Sequence, residues 1–285
     1  MSRFAWTTLL AATALLLLGL ALDAPARGWA VGAVAAAYLA LLAAGVCSIR
    51  LGFFAKALCR GTPGKMRVAL TFDDGPDPEV TPRLLDLLRE EGASATFFCI
   101  GERAAAHPGI VRRMAAEGHV VGNHTFRHVW WTNFLFGLRL RQEIARAQEG
   151  LEAILGVAPR FFRPPAGLTN PHLRGALEPL GLTLVGWDVR PFGRGADPNA
   201  VVERVLRRVR DGSILVLHDG DARPDPLLRI VATLIARLRS QGVRFVSLEG
   251  MVSHLHLAHS GHVRNEDATP RRDGSRCRAG WGRGR

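Results

Sequence analysis

One stretch decides the fold of this 285-residue chain: Val68-Ala69-Leu70-Thr71-Phe72-Asp73-Asp74-Gly75. It has the pattern of an apolar strand that delivers two adjacent carboxylates to a glycine turn. From here to about residue 248, strand-like runs alternate with helical patterns, which is typical of parallel strands with helices packed outside them. We therefore predict an α/β fold whose sheet, at about seven strands, curls into a barrel with catalytic residues at the carboxyl ends of its strands.

The individual elements follow from apolar periodicity and from caps. The predicted strands are Met66–Phe72, Ala95–Ile100, His119–Gly122, Arg160–Arg163, Leu182–Trp187, Ser213–His218 and Val243–Ser247. The predicted helices are Thr81–Glu91, His107–Glu117, Leu138–Leu155, Pro171–Leu180, Asp197–Val209 and Leu227–Ser240.

A second motif lies fifty residues beyond the paired acids: His124-Thr125-Phe126-Arg127-His128. Spacing of four predicts that both histidines lie on one face of a helical turn. Two imidazoles and one carboxylate make a metal site with open positions, which suits a hydrolase that must hold and activate water, and the second carboxylate is then free to act as a base. Either motif alone is weak evidence, because paired acids cap turns and buried histidines are commonly core residues. Together, at consecutive strand ends, they form a strong signal.

Two further segments fit the same edge of the sheet. Phe161-Phe162-Arg163-Pro164-Pro165-Ala166-Gly167 places an arginine at a strand end, before a rigid turn that ends in glycine. Ile214-Leu215-Val216-Leu217-His218-Asp219-Gly220 is a buried strand with a histidine at its end.

With these four motifs in order, the chain resembles the polysaccharide deacetylase family, also called the NodB-homology domain or carbohydrate esterase family 4, from about Met66 to Leu248. The resemblance implies a distorted (β/α) barrel and a metal-dependent hydrolase that removes an acyl group from an amide or ester on a sugar. It implies that Asp73 is the general base and that Asp74, His124 and His128 bind the metal. That metal is usually Zn²⁺ in this family, and sometimes Co²⁺ or another divalent ion.

The resemblance also assigns roles to the later motifs. Arg163 would orient and tune Asp73, and His218 would be the general acid that protonates the leaving amine. Val216 and Leu217 would form an apolar wall near the acyl methyl group. Independently of the resemblance, the tetrahedral oxyanion needs a fixed donor beside the metal, and we expect the backbone N–H of Ala166, in the turn after Arg163, to supply it.

The chain departs from the family pattern at two positions. Ala166 stands where relatives commonly carry an aromatic residue, and Gly193 stands where they often place an acid near Trp187. Asp188 either replaces that acid or caps a strand, and Trp187 is expected as a pocket wall. Asp219 is expected to be a turn residue rather than a ligand.

Composition narrows the class of partner. Lys+Arg number 37 against 25 Asp+Glu, a formal charge of +12, but the arginines are scattered through helical patterns with no accompanying aromatic stripe. We therefore expect no nucleic acid and favour a basic surface near anionic lipid headgroups. The four cysteines, Cys47, Cys59, Cys99 and Cys277, form no CxxC pair, which argues against a disulfide framework or a cysteine metal site.

The amino terminus has the pattern of a membrane anchor. Phe4 to Leu22 and Trp29 to Ile49 are uncharged apolar runs separated by a predicted turn at Asp23–Gly28, and each has about the 20 residues that span a bilayer core. A signal peptide cleaved at Ala24-Pro25-Ala26, followed by one span, is the alternative. The predicted divisions are an anchor at 1–49, a linker at 50–65, the deacetylase domain at 66–258 and a disordered basic tail at 259–285.

The positions of basic residues predict the orientation of the anchor in the membrane. Five of them follow the second run: Arg50, Lys56, Arg60, Lys65 and Arg67. The turn between the runs has only Arg27, offset by Asp23. The positive-inside rule then places the catalytic domain on the cytoplasmic side of a multi-pass inner-membrane protein.

The expected substrate is a carbohydrate with an N-acyl group, most simply acetyl. A cytoplasmic domain would fit a lipid-linked sugar precursor, with formyl as an alternative acyl group, and an exported domain would fit peptidoglycan or another polysaccharide. The alternative from another class is a glycan-binding membrane module whose catalytic site has decayed.

Overall fold

The structure is a computed structural model that describes residues 2–21, 23–64, 66–129, 137–191, 197–220 and 223–257. Its helices are α1 (Arg3–Ala21), α2 (Ala24–Cys47), α3 (Val80–Glu90), α4 (Gly101–Ala106), α5 (Pro108–Ala116), α6 (Gly137–Leu155), α7 (Leu173–Leu177), α8 (Pro198–Leu206), α9 (Pro224–Arg239) and α10 (Leu248–Leu257). Its strands are β1 (Arg67–Asp73), β2 (Ala95–Cys99), β3 (Val120–Asn123), β4 (Phe161–Phe162), β5 (Thr183–Leu184), β6 (Ile214–His218) and β7 (Arg244–Phe245).

The strands form one parallel sheet in the order β5-β4-β3-β2-β1-β6, and β7 pairs with the first residues of β1. The predicted α/β fold with parallel strands is therefore confirmed. The register aligns the strand ends: Asp73 lies beside His218 on one side and Phe98 on the other, and Asn123 lies beside Phe162. The candidate catalytic residues thus share one edge of the sheet.

Strand β1 is buried along its whole length, as expected for a central strand covered on both faces. Val68, Leu70 and Phe72 pack with the helices in the largest apolar cluster, whereas Ala69 lies in a smaller cluster with Ile214 on the concave side. Because side chains alternate along a strand, Thr71 and Asp73 also face the concave side, where the site is built.

The sheet curls into an incomplete barrel. On the side opposite β1, the segment that follows β5 reaches β6 through a bridge between Val189 and Leu215. The segment that follows α2 covers the gap between β5 and β6, since Leu58 pairs with Val185 and Arg60 pairs with Ser213. Residues from the stretch predicted as a linker therefore lie against the open side of the sheet.

The two N-terminal helices are each long and apolar enough to cross a membrane by length and composition, and almost none of their residues is buried. They contact each other through a hydrogen bond between Thr8 Oγ1 and Tyr38 Oη of 2.8 Å. The start of α1 is tied to the chain that leaves α2, because Phe4 N donates to Phe53 O at 3.1 Å. The predicted turn at Asp23–Gly28 is wrong, since α2 already begins at Ala24 with a proline in its first turn, where the missing N–H of proline costs nothing.

Two other local predictions differ from the structure. Residues 124–128 form an irregular loop rather than a helical turn, and Thr125 and His128 have positive φ angles of 67° and 52°. The helices α4 and α10 were not predicted. The tail predicted at 259–285 lies outside the described residues.

Candidate active site

The carboxyl ends of the parallel strands bring the predicted residues together. Asp73 ends β1 and Asp74 follows it directly. His218 ends β6, and His124 follows β3 directly. The carboxylates, His124 and Arg163 are buried, whereas His128 and His218 are partly exposed. The site therefore opens to solvent on the side of the two half-buried imidazoles.

Asp74, His124 and His128 form a group that can hold a metal ion, with ligand atoms that all lie within 4.8 Å of one another. Asp74 Oδ1 is 3.3 Å from His124 Nε2 and 3.2 Å from His128 Nε2. Two ligands at the usual bond lengths of a tetrahedral zinc ion would stand about 3.3 Å apart. The spacing and the mixed oxygen–nitrogen donor set therefore fit a divalent ion such as Zn²⁺.

The orientation of His124 supports the same use. Its Nδ1 lies 2.7 Å from the carbonyl oxygen of Arg163, which fixes the tautomer with Nδ1 as donor and leaves the Nε2 lone pair toward Asp74. The loop is held by its own backbone, because Thr125 N donates to Asn123 Oδ1 and His128 N donates to Thr125 Oγ1. These bonds let both imidazoles converge without a helix.

Proton affinities in this group are set by burial and by mutual charge. Burial opposes ionisation of Asp74, but its hydrogen bond to His124 and the charges of His124 and His128 hold its pKa well below the usual range. Burial works against a charged His124, yet the bond to Asp74 and the two carboxylates raise its pKa. Burial, followed by the charge of His124, lowers the pKa of His128 to about 4. A low pKa favours the neutral imidazole that binds metals.

Arg163 holds Asp73. Arg163 Nη1 donates to Asp73 Oδ1 at 2.6 Å and to Thr71 Oγ1 at 2.7 Å, and Nη2 donates to Gly186 O at 2.9 Å. The guanidinium is fully buried and lies over the ring of Phe98, 4.1 Å from its centroid. Burial lowers the pKa of Arg163, and the ion pair with Asp73 opposes this effect. The carboxylate of Asp73 therefore has one fixed orientation, next to Asp74 and the two histidines that can hold a metal ion.

His218 lies next to Asp73 across the β1–β6 register. Burial lowers its pKa, while the carboxylates of Asp73 and Asp74 act in the opposite direction. Its side chain is half-buried at the open side of the site, where a leaving group can reach it.

The loop after β4 forms a further wall. Ala166 is exposed and has a left-handed backbone (φ 55°, ψ 6°). Gly167 also has a positive φ, and a Cβ there would lie 2.3 Å from the indole ring of Trp187, so that this glycine is required for the turn to pack on Trp187. The loop ends at Thr169, whose Oγ1 and N donate to the carbonyls of Gly45 and Val46 at the end of α2, at 2.7 and 3.0 Å.

Comparison with known proteins now identifies the fold and its chemistry. The family model described as polysaccharide deacetylase matches residues 60–185. A peptidoglycan-N-acetylglucosamine deacetylase of Bacillus cereus is 35% identical over 192 residues, which cover 66% of this chain and 89% of that protein. The chain belongs to the polysaccharide deacetylase family. It is a hydrolase of the class that acts on carbon–nitrogen bonds other than peptide bonds.

Other relatives agree with this assignment. A chitooligosaccharide deacetylase of Azorhizobium caulinodans is 39% identical over 163 residues, covering 56% of this chain and 77% of that protein. A crystal structure of a peptidoglycan N-acetylglucosamine deacetylase superposes with a TM-score of 0.63 at 35% identity, covering 68% of this chain and 91% of that one. A pseudoenzyme of the same carbohydrate esterase family from Bacillus anthracis superposes with a TM-score of 0.64 at 23% identity, covering 69% of this chain and 68% of that one. That last likeness concerns the fold alone.

The contacts of Leu217 differ from its expected role, and those of Asp188 agree with one of its two expected roles. Leu217 pairs with Phe72 and packs with it in the large cluster that faces the helices, whereas Val216 pairs with Thr71 and so faces the concave side. Asp188 caps the start of β6, since its carboxylate accepts from Ser213 Oγ and from the N–H of residue 214, both at 2.8 Å. No bond from Asp188 to the catalytic group is found in the described part of the chain, and Gly193 lies outside it.

Two buried residues of the site, Thr71 and Asp219, were not predicted from the sequence to have a functional role. Thr71, predicted only as a strand residue, accepts a hydrogen bond from Arg163 Nη1, the same atom that donates to Asp73. Asp219, predicted as a turn residue, is fully buried and accepts a hydrogen bond of 2.5 Å from Thr81 Oγ1. It also lies against Gly75, where a Cβ would stand 2.3 Å from its carboxylate. The sequence signal that could have indicated a role for Asp219 is its position directly after His218 at the strand end.

Proposed function

We propose that this deacetylase removes the N-acetyl group from an amino sugar of a glycan, with a divalent ion, best Zn²⁺, held by Asp74, His124 and His128. One observation carries the proposal: the three ligand atoms converge at spacings that fit the ion, directly beside a carboxylate fixed by Arg163. The names of the relatives, which are peptidoglycan and chitooligosaccharide deacetylases, support this substrate class.

When bound, a divalent ion supplies a Lewis acid for the acetyl carbonyl and lowers the pKa of coordinated water. The chain supplies the remaining chemistry. Asp73 accepts a proton from the attacking water, and the bond from Arg163 Nη1 keeps its carboxylate oriented for this transfer. Thr71 fixes the guanidinium in turn, so that base and orienting group move as one unit.

Departure of the amine requires a second proton transfer. His218, beside Asp73 in the register and half-buried at the open side, is the group that we assign to protonate the nitrogen as the C–N bond breaks. The N–H of Ala166, in the exposed turn after Arg163, is assigned to the oxyanion. We assign the apolar wall beside the acetyl methyl to Val216 rather than to Leu217, because Val216 faces the concave side, and we assign a second wall to Trp187.

A decayed glycan-binding module is the less favoured alternative. This alternative has to be considered because a pseudoenzyme has the same fold, so the fold alone does not establish catalytic activity. Against it stands the complete and mutually bonded set of Asp73, Arg163 and the metal group.

We further propose that α1 and α2 form a two-helix membrane anchor. The alternative of a cleaved signal peptide would remove α1, yet α1 makes specific bonds to the rest of the chain through Phe4 N and Thr8 Oγ1. The bond from Thr8 joins α1 to Tyr38 in α2, the bond from Phe4 joins α1 to the segment that leaves α2, and the bond from Thr169 joins α2 to the loop after β4. These contacts support an anchor whose helices remain attached to the catalytic domain. The basic residues Arg3, Arg50 and Lys56 lie at the start of α1 and in the segment that leaves α2, which favours the cytoplasmic side and, with it, a lipid-linked precursor as substrate.

Acetate release tests the main proposal. The full chain, purified in neutral detergent with Zn²⁺, should release acetate from N-acetylchitooligosaccharides or from peptidoglycan fragments. Asp73→Asn should lower the rate by about 10²–10⁴-fold, because an amide cannot take the proton of water. Asp225→Asn, which changes an exposed carboxylate in the surface pair with Arg83, is the matched control. Equal rates for wild type and Asp73→Asn would contradict the assigned base, and no release from any N-acetylated glycan would favour the binding module.

A further inference from the structure

A second cavity lies outside the catalytic site. It has a volume of about 680 Å³ and lies where the start of α1 meets the segment that leaves α2. Helix α7 and strand β5 close its other side. We call it the basic pocket, lined by Ser2, Arg3, Arg50–Gly52, Phe54–Ala57, Arg174, Leu177, Glu178 and Leu182–Leu184.

The charges in the basic pocket are strongly unbalanced. Four cationic side chains, Arg3, Arg50, Lys56 and Arg174, line it together with a single carboxylate, Glu178. That carboxylate is already paired with Arg174, at 2.6 Å from its Nε. Within the described ranges, Arg50 and Lys56 have no carboxylate at ion-pair distance, and both side chains are exposed. The pocket therefore offers two uncompensated cations to a ligand.

The walls are fixed by bonds within the protein. Arg3 Nη1 donates to Leu51 O at 2.6 Å, which ties the first turn of α1 to the chain after α2. Phe4 and Phe54 lie behind this tie, with ring centroids 5.2 Å apart, and give the pocket an apolar side toward the two helices. A cavity with convergent cations at one side and apolar groups at the other suits an anion attached to an apolar body.

The cations define the chemistry of that anion. Arginine and lysine bind phosphate oxygens through charge-assisted hydrogen bonds, and arginine can do so with two parallel bonds. The volume falls in the range of about 300–1,000 Å³ that is usual for small-ligand sites.

We propose that the basic pocket binds a phosphate-type anion at the point where α1 and α2 meet the catalytic domain. Two sources share this chemistry: the headgroup of an anionic phospholipid, and the phosphate or pyrophosphate of a lipid-linked sugar. The second source rests on the proposed function, whereas phosphate binding itself does not.

Calorimetric titration of the full chain with inorganic pyrophosphate tests the site. The protein is held in nanodiscs of phosphatidylcholine, and Arg50→Gln/Lys56→Gln is compared with Arg207→Gln/Arg208→Gln, an exposed pair that does not line the pocket. The first double variant should bind pyrophosphate more weakly by about tenfold or more, because it loses the charge-assisted hydrogen bonds of two cations. The second should bind as wild type does. No binding by the wild type, or the same loss in both variants, would overturn the proposal.

The two sources are separated by repeating the titration in nanodiscs that contain phosphatidylglycerol. If the wild type no longer takes up pyrophosphate there, a headgroup fills the pocket. If uptake persists, the headgroup does not fill the pocket, and the phosphate of a lipid-linked sugar is the source that the proposal retains. Acetate release from a soluble chitooligosaccharide should be unchanged in Arg50→Gln/Lys56→Gln, so failure of this site and failure of the deacetylase proposal are distinguishable.

Discussion

Thr169 Oγ1 donates a hydrogen bond of 2.7 Å to Gly45 O, and both residues are buried. The bond joins the end of α2 to the loop that begins at Arg163, the partner of the proposed base. Carbonyls at a helix end lack partners within their own helix, so Thr169 satisfies groups that would otherwise be left without a donor. The apolar helix and the catalytic loop are thereby one structural unit.

Thr169→Val should destabilise the protein measurably. The change keeps the shape of the side chain but leaves a buried carbonyl without its donor, which costs about 1–3 kcal/mol. Chemical denaturation of the full chain in detergent measures the free energy of unfolding. Thr233→Val is the matched control, because it removes a hydroxyl bond to Arg229 O on an exposed helix face and should cost about 0.5 kcal/mol or less. Equal costs would show that the bond to Gly45 has no special weight.

The metal group can be tested without any assay of activity. Purified wild type should hold about one divalent ion per chain, and His124→Ala/His128→Ala should lose it, because one carboxylate cannot hold the ion alone. Elemental analysis after gel filtration measures the number of metal ions per chain. His172→Ala, at an exposed position, should retain the wild-type content. Undiminished metal in the double variant would place the ion elsewhere.

His218 should matter in proportion to the basicity of the leaving group. His218→Ala should slow release of acetate from an N-acetyl amino sugar by about 10²–10⁴-fold, whereas an aryl acetate should be affected far less. The reason is that a phenolate leaves without a proton and an amine does not. Rates measured in parallel on both substrates test whether His218 is the general acid. Equal loss of rate on the two substrates would show that it is not.

Asp219 should make stability depend on pH. Burial raises its pKa to about 7 from an ordinary value of 3.8, the charges of Asp74 and Asp73 add to this, and the bond from Thr81 opposes it. Between about pH 4 and 7 the folded state therefore holds a proton that the unfolded chain has lost, so the free energy of unfolding falls as the pH rises and levels off above about 7. Asp219→Asn should remove this part of the slope.

Denaturation at a series of pH values measures the effect as the difference between wild type and variant. Asp225→Asn, at an exposed carboxylate, should run parallel to wild type over the same range. If Asp219→Asn also runs parallel to wild type, its carboxyl group does not titrate in this window.

The residues at the ends of the strands were predictable because an apolar run followed by a polar residue marks a strand end in the local sequence. A buried strand that stops at Asp73 and another that stops at His218 must meet if both are parallel neighbours, and the register places them side by side. The choice between Val216 and Leu217 was also available from alternation along the strand, once Thr71 is taken to face the concave side.

Other features depend on contacts between distant segments. The loop that carries His124 and His128 is shaped by the first turn of α4, where Gly101 N and Glu102 N donate to the carbonyls of residues 125 and 126 at 2.9 Å. A spacing of four residues fits this loop as well as it fits a helix, so the pattern could not distinguish them. The bond from Thr169 to Gly45 spans 124 positions and has no local signal at all.

The orientation of the anchor is the last prediction. Arg3 lies at the start of α1, and Arg50 and Lys56 lie in the segment that leaves α2. At the opposite end of the two helices, Asp23 precedes α2 and offsets Arg27 in its first turn. The positive-inside rule then predicts a cytoplasmic catalytic domain. Alkaline phosphatase fused after residue 60 should be inactive and a fluorescent protein at the same point bright, and fusions at Asp23, between the two helices, should give the opposite pattern. The reverse result would place the domain outside and would move the proposed substrate from a lipid-linked precursor to a polymer of the cell envelope.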